Sequence, residues 1–140
     1  MACQENMTST TDASQAVRIL VVDDNVDSAE TMQMLLAMSG YDNTRTAYDG
    51  RAALAVAREF SPQVVFCDIG LPGKDGYAVA RELRALPETS TALLVALTGY
   101  GDEEHRRRAT DAGFDRFQVK PVEPGALEAL LAEHFAGRSS

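Results

Sequence analysis

A chain of 140 residues with 45% hydrophobic and 24% charged content is one domain's worth of ordinary globular sequence, long enough to bury a core without disulfide or metal staples. The formal net charge of -8 argues against direct binding of nucleic acid, where affinity rests on Lys and Arg against phosphates. No stretch approaches the roughly 20 apolar residues of a membrane span and no cationic start leads into an apolar run as a secretory signal does, so the expected location is cytoplasmic with no membrane partner.

Residues 1–15 are mostly Ser, Thr, Gln and Asn and read as a disordered tail, with Cys3 inside it. A folded unit is expected over residues 16–137. Val17–Val22 is a short β-branched run and predicts a strand. A helical stretch follows from Asp27 to Ser39 and stops at Gly40. Asn43–Ala47 predicts a weak strand. Ala53, Val56, Ala57 and Phe60 then fall on one helix face, which Pro62 ends. Val64–Cys67 is the next apolar strand, with Cys67 expected as a buried free thiol. A loop rich in Gly and Pro runs from Gly70 to Gly76. Val79, Ala80, Leu83 and Leu86 mark another helix face, closed by Pro87. Ala92–Leu97 is a strong strand. Asp102 opens a short helix carrying Ala109 and Ala112 and ending at Gly113, whose Arg106-Arg107-Arg108 run reads first as a solvated face. Phe114–Val119 predicts a strand of mixed polarity. Leu127, Leu130 and Leu131 line the last helix, with His134 on the same face.

Five βα units in strict alternation imply an α/β fold, a doubly wound parallel sheet with helices on both faces. Central strands of such a sheet are buried on both sides and read as continuous apolar runs. The first, third and fourth strands do so. The second, with Asn43, Thr44, Arg45 and Thr46, and the fifth, with Asp115, Arg116 and Gln118, are polar and belong at the edges. Right-handed crossovers then agree with the flavodoxin-like order 2-1-3-4-5 with five helices.

Ligands of open parallel sheets bind beyond the carboxyl ends of the strands. Asp23 and Asp24 follow the first strand, Asp68 the third, Thr98 the fourth and Lys120 the fifth. Each has a plainer alternative. Asp23 or Asp24 is an N-cap, Asp68 a turn residue before Gly70, Thr98 a turn partner of Gly99, and Lys120 a solvent-facing cation. Taken together they are three carboxylates, a hydroxyl and an ammonium at one sheet edge. Clustered carboxylates call for a cation, and hard oxygen donors with open positions suit Mg2+. An anion bridging a metal, a lysine and a hydroxyl is a phosphoryl group, and the nearest nucleophile is a carboxylate.

The runs Val21-Val22-Asp23-Asp24, Asp68-Ile69-Gly70-Leu71-Pro72-Gly73-Lys74-Asp75-Gly76, Leu97-Thr98-Gly99 and Val119-Lys120-Pro121 resemble the receiver domain of response regulators, over roughly residues 17–136. The resemblance implies that Asp68 is the phosphoacceptor. It implies Mg2+ bound by Asp24 and Asp68, by Asp23 mainly through water, and by the Gly70 carbonyl. Lys120 would pair with the phosphoryl oxygens, and the Lys120-Pro121 peptide bond would be cis. Thr98 and Phe117 would be the switch residues of a surface made by the fourth helix, fifth strand and fifth helix. Packing at an edge strand is the plainer reading of Phe117. Such a domain catalyses only its own phosphorylation and dephosphorylation. Its partner would be a histidine kinase or a histidine phosphotransfer protein, and it would act either as a stand-alone regulator or as the receiver of a hybrid kinase, which the stretch from Gly70 to Arg81 with its Leu71-to-Tyr77 core resembles. Gly70, without a side chain, and the large Tyr100 depart from familiar members and bear on the lifetime of the phosphorylated state. Met32, Met34, Leu35 and Met38 cannot share one helix face, so outward methionines are expected on a first helix beside Asp24, either as part of a docking surface or, more plainly, as the generous apolar edges of a packed helix.

Two rivals fit less well. An FMN-binding flavodoxin needs a Ser/Thr-rich phosphate loop where Asp23 and Asp24 stand. A phosphatase with an aspartyl nucleophile needs a second Asp where Asp68-Ile69-Gly70 has Gly. The complete acid, Thr and Lys set also argues against a degenerate receiver that only docks.

Overall fold

In a computed structural model, residues 17–70, 75–99, 101, 103–120 and 122–139 are described. The elements alternate: β1 (Ile19–Val22), α1 (Val26–Met38), β2 (Thr44–Ala47), α2 (Gly50–Phe60), β3 (Val64–Asp68), α3 (Gly76–Ala85), β4 (Leu93–Thr98), α4 (Glu103–Ala112), β5 (Arg116–Val119) and α5 (Pro124–Ser139). The strands form one parallel sheet in the order β2-β1-β3-β4-β5. The polarity of the strands explains it. Every residue of β1 and β4 is buried, whereas β2 and β5 are mostly half-buried or exposed and lie at the edges. The expected tail over residues 1–15 lies outside the described residues.

Side chains alternate across each strand, so the sheet divides the core in two. Leu20, Val22, Val65, Cys67, Leu94 and Ala96 face α2, α3 and α4. Ile19, Val21, Val64, Phe66, Val95 and Leu97 face α1 and α5, whose Leu36, Leu127 and Leu131 are fully buried. Truncating one of these leucines to Ala costs about 2–5 kcal/mol in comparable cores.

The ends of the helices follow from local chemistry. Asn25 caps α1, its side chain accepting the Ser28 N–H at 3.1 Å, so the helix opens one residue before Asp27. It closes at Ser39 ahead of Gly40, whose φ of +97° suits a residue without Cβ. Asp49 caps α2 in the same way. That helix stops at Phe60, because Ser61 turns into the left-handed region at φ +51° just before Pro62, a conformation that costs a non-glycine residue about 1 kcal/mol. The Ser61 carbonyl there accepts the Arg18 Nε–H at 2.8 Å. Asp102, expected to open the fourth helix, lies outside the described residues. Gly113 ends that helix at φ +114°.

At the amino ends of β4 and β5 a single guanidinium ties together the two connecting segments that lead into these strands. Arg84, in the last turn of α3, donates from Nε to the Gly113 carbonyl at 2.9 Å. One terminal nitrogen donates to the carbonyls of Ser90 at 3.1 Å and Ala92 at 2.7 Å. The other pairs with Asp115 at 2.5 Å, and the same carboxylate oxygen accepts the Leu94 N–H at 3.0 Å. The rigid fork of N–H donors suits Arg to this role. Among the described residues no helix is long and apolar enough to cross a membrane.

Candidate phosphoacceptor and metal site

The carboxyl ends of the strands carry the cluster. Asp68 and Thr98 prove to be the last residues of β3 and β4, one position inside the strands rather than just after them. Asp23 leaves β1 and stays tied to the sheet, its N–H donating to the Ala47 carbonyl at 3.0 Å. Asp23 is only 2% exposed, with its Oδ1 accepting the Asn25 N–H at 3.0 Å. Asp24 beside it is exposed. Since Asn25 is the cap of α1, the N-cap alternative for Asp23 and Asp24 is set aside.

Asp68 holds the turn of its plainer reading and also faces a cation. Its Oδ1 accepts the Gly70 N–H at 2.9 Å, as a turn aspartate does, while its Oδ2 faces the ammonium of Lys120. The solvent-facing reading of Lys120 does not hold. Lys120 Nζ donates to Asp23 Oδ2 at 2.9 Å and to Asp68 Oδ2 at 3.1 Å. Burial alone pulls its pKa down, but the hydrogen bonds to Asp23 and Asp68, and their charges, outweigh that and hold it above the ordinary lysine value. The Lys120 N–H also donates to the Thr98 carbonyl at 2.7 Å, so the lysine is carried by the strand that ends in Thr98. Thr98 is 2% exposed.

Asp23, Asp24 and Asp68 each offer an oxygen, all within 4.8 Å of one another. Three carboxylates against one ammonium leave two negative charges, which a divalent cation balances. The donor set therefore fits Mg2+, whose preference is for hard oxygens with water completing the shell. A Cβ on Gly70 would stand 3.5 Å from Asp68 Oδ1, an ordinary contact, so the space above the acid is open where other side chains are sterically allowed. A cleft of about 510 Å³ runs from this cluster along α1, between Asp23 and Lys120 on one side and Ser28, Thr31 and Leu35 on the other. Met32 packs inward, while Met34 is 63% and Met38 77% exposed, the division expected of helix geometry.

Cys67, one residue before Asp68, is a buried free thiol as expected. Burial pushes its pKa well up, and the charges of Asp68, Asp23 and Asp75 add to the effect. Phe117 is half-buried against the layer of α2, α3 and α4, with the Arg106 guanidinium 4.9 Å from its ring centre. Arg108 lies likewise 4.5 Å from the ring centre of Tyr77. The arginine run is thus exposed as expected, yet two of its members cover aromatic rings, which spacing alone does not reveal. Tyr100 and the cis bond expected at Lys120-Pro121 lie outside the described residues.

Comparison with known proteins agrees with this fold. The family model for the response regulator receiver domain matches residues 19–132. A probable transcriptional regulator, ycf27, of Cyanophora paradoxa is 38% identical over 81% of this chain and 46% of its own length, so the chain spans under half of that relative. The crystal structure of a putative response regulator from Chloroflexus aurantiacus superposes with TM-score 0.79 at 32% identity, covering 86% of this chain and 98% of that one. The receiver domain of a sensor histidine kinase from Pseudomonas aeruginosa, which has a magnesium ion coordinated in its active site cleft, superposes with TM-score 0.77 at 27% identity over 84% and 95%.

Proposed function

The chain belongs to the response regulator receiver domain family, and from that premise we propose that it takes a phosphoryl group onto Asp68 in a Mg2+-dependent reaction. The observation that carries this is the pairing of Lys120 Nζ with both Asp23 and Asp68 beside a cluster of three carboxylates. The receiver unit in this reading runs over residues 16–137, in the cytoplasm. Its donor is a phosphohistidine on a histidine kinase or a histidine phosphotransfer protein. A carboxylate oxygen of Asp68 attacks phosphorus, the P–N bond breaks, and the imidazole leaves with its electron pair and takes up a proton. Asp23, Asp24, Asp68 and the Gly70 carbonyl would hold the metal. Bound there, it supplies positive charge to the phosphoryl oxygens as they transfer. Lys120, already at Asp68 Oδ2, is in place to pair with the same oxygens. Thr98 moves toward the product, and Phe117 with the surface of α4, β5 and α5 carries the change. The protein is no enzyme toward other substrates in this reading.

Magnesium dependence tests it directly. Labelling by acetyl phosphate is expected to stop in excess chelator and to return when Mg2+ or Mn2+ is restored. Undiminished labelling in chelator removes the metal from the reaction.

The donor's docking face has its own test. The cleft along α1 opens onto Asp23 and Lys120, and Met34 and Met38 stand out from the same helix. Exposed methionines suit an adaptable apolar interface. Met34→Glu is expected to slow transfer from a cognate kinase about tenfold or more, as loss of a central interface contact does, while labelling by acetyl phosphate keeps the parent rate. If kinase transfer is unaffected, α1 is not the docking face.

A further inference from the structure

The peptide joining Asp68 to Ile69 is held from two sides. On the side of β4, the Ile69 N–H donates to the Leu97 carbonyl at 3.0 Å. On the other side stands the first residue of α3. The Gly76 N–H donates to the Ile69 carbonyl at 3.2 Å, and its Cα is so close that an added Cβ would lie 2.4 Å from Ile69 Cα and 2.6 Å from the Asp68 carbonyl oxygen. Real Cβ atoms essentially never approach within 3.0 Å, and both obstacles here are backbone, so no side-chain rotation relieves them. Conformational freedom is not the reason for glycine, because Gly76 is not among the glycines with positive φ. Nor is helix formation, for which Ala is better. The start of the helix is itself fixed, since Asp75 caps it by accepting the Ala78 N–H at 2.9 Å. What glycine provides at this position is room for direct contact between a helix and the backbone of Asp68.

We propose that Gly76 is a positioning residue for phosphoryl acceptance, setting through this backbone contact where the Asp68 carboxylate stands. The proposal rests on the reading of Asp68 as the phosphoacceptor. The carboxylate is tethered at both oxygens, to the Gly70 N–H at 2.9 Å and to Lys120 Nζ at 3.1 Å. Making room for a methyl group at Gly76 requires the helix and the Asp68-Ile69 peptide to part by more than half an ångström. β4 and Lys120 hold the acid from the far side, so part of that movement is taken up at the carboxylate. A displacement of that order at a reacting group costs between about tenfold and 10²-fold in rate.

The test compares Gly76→Ala with Gly113→Ala. Gly113 has positive φ, and a Cβ there would stand 2.9 Å from Arg84 Cγ, so both substitutions are expected to lower the urea midpoint. Gly113 lies at the opposite end of the sheet from Asp68. Labelling by acetyl phosphate with saturating Mg2+ is measured per folded molecule, in buffer and in trimethylamine N-oxide, which restores folding to destabilised chains. Gly76→Ala is expected to label at least about tenfold more slowly per folded molecule in both solutions. Gly113→Ala is expected to stay near the parent rate per folded molecule. If labelling of Gly76→Ala recovers in step with its folded fraction, or the variant stays unfolded even with the osmolyte, Gly76 serves folding alone and the proposal is overturned. A parent chain that does not label at all removes the phosphoacceptor reading instead, and this proposal with it.

Discussion

Asp68→Asn is expected to abolish labelling by acetyl phosphate and by any phosphohistidine donor while leaving the fold in place. The amide keeps the oxygen that accepts the Gly70 N–H, and Lys120 keeps its partner Asp23. What is lost is the anionic nucleophile, and an amide oxygen does not replace it. Asp68 is also one of three acids within 4.8 Å of one another, so removing its charge relieves repulsion in the metal-free protein. The urea midpoint without Mg2+ should therefore stay the same or rise. Phosphate release assays and intact-mass measurement read the first effect, and denaturation reads the second. Labelling of the variant at the parent rate would mean that another group is the acceptor.

Lys120→Gln is expected to pull two properties in opposite directions. The ammonium now occupies Asp23 Oδ2 and Asp68 Oδ2, so a divalent cation must share those oxygens with it. Removing the lysine charge should tighten Mg2+ binding, measurable by calorimetry. The same change removes the cation that faces the incoming phosphoryl oxygens and should slow labelling by about 10²-fold, the scale of losing one such charge-stabilising group. Weaker Mg2+ binding in the variant would contradict the competition. In the metal-free parent the lysine's pairing also gives a pH signature. Its folded pKa lies above the unfolded value of about 10.4, so the stabilisation is complete below that pH and is lost only as pH climbs through the raised folded value. Lys120→Gln should flatten that alkaline limb of the stability curve and leave the neutral range without a slope from this source.

Much of the fold is legible because strand polarity is a burial record. Arg45 and Arg116 stand where only an edge strand tolerates them, and the order of strands follows. The acids and Lys120 were legible as well, since a parallel sheet brings the residues after its strands to one edge. Other features depend on distances that no pattern carries. Asn25 caps α1, so the helix opens at Val26, one residue ahead of the Asp27 that the pattern suggests. Asp68 reads as either a turn residue or a nucleophile, yet its two oxygens allow it to hold the turn and face Lys120 together. Gly76 reads as one more loop glycine, because what distinguishes it is contact with a backbone eight residues earlier. Arg84 carries no signal either. In sequence it is a cation in the last turn of a helix, a common solvated position, and only the fold brings Gly113, Ser90 and Asp115 around it.

That guanidinium holds one end of the neighbouring helix. It fastens the turn after α4 to the end of α3 and the start of β4, so the Ala112 end of α4 is anchored, while the Glu103 end is the one nearer in sequence to Thr98. A helix of this length spans about 15 Å. In the switch proposed above, a shift introduced beside Thr98 would swing α4 about its far end like a gate on a post. Displacement would grow along the helix toward Glu103, and the Arg106 that lies over Phe117 would ride the wide part of the arc. Cutting Arg84 free of Asp115 would exchange the swing for a slide, and the same push at Thr98 would no longer be turned into rotation.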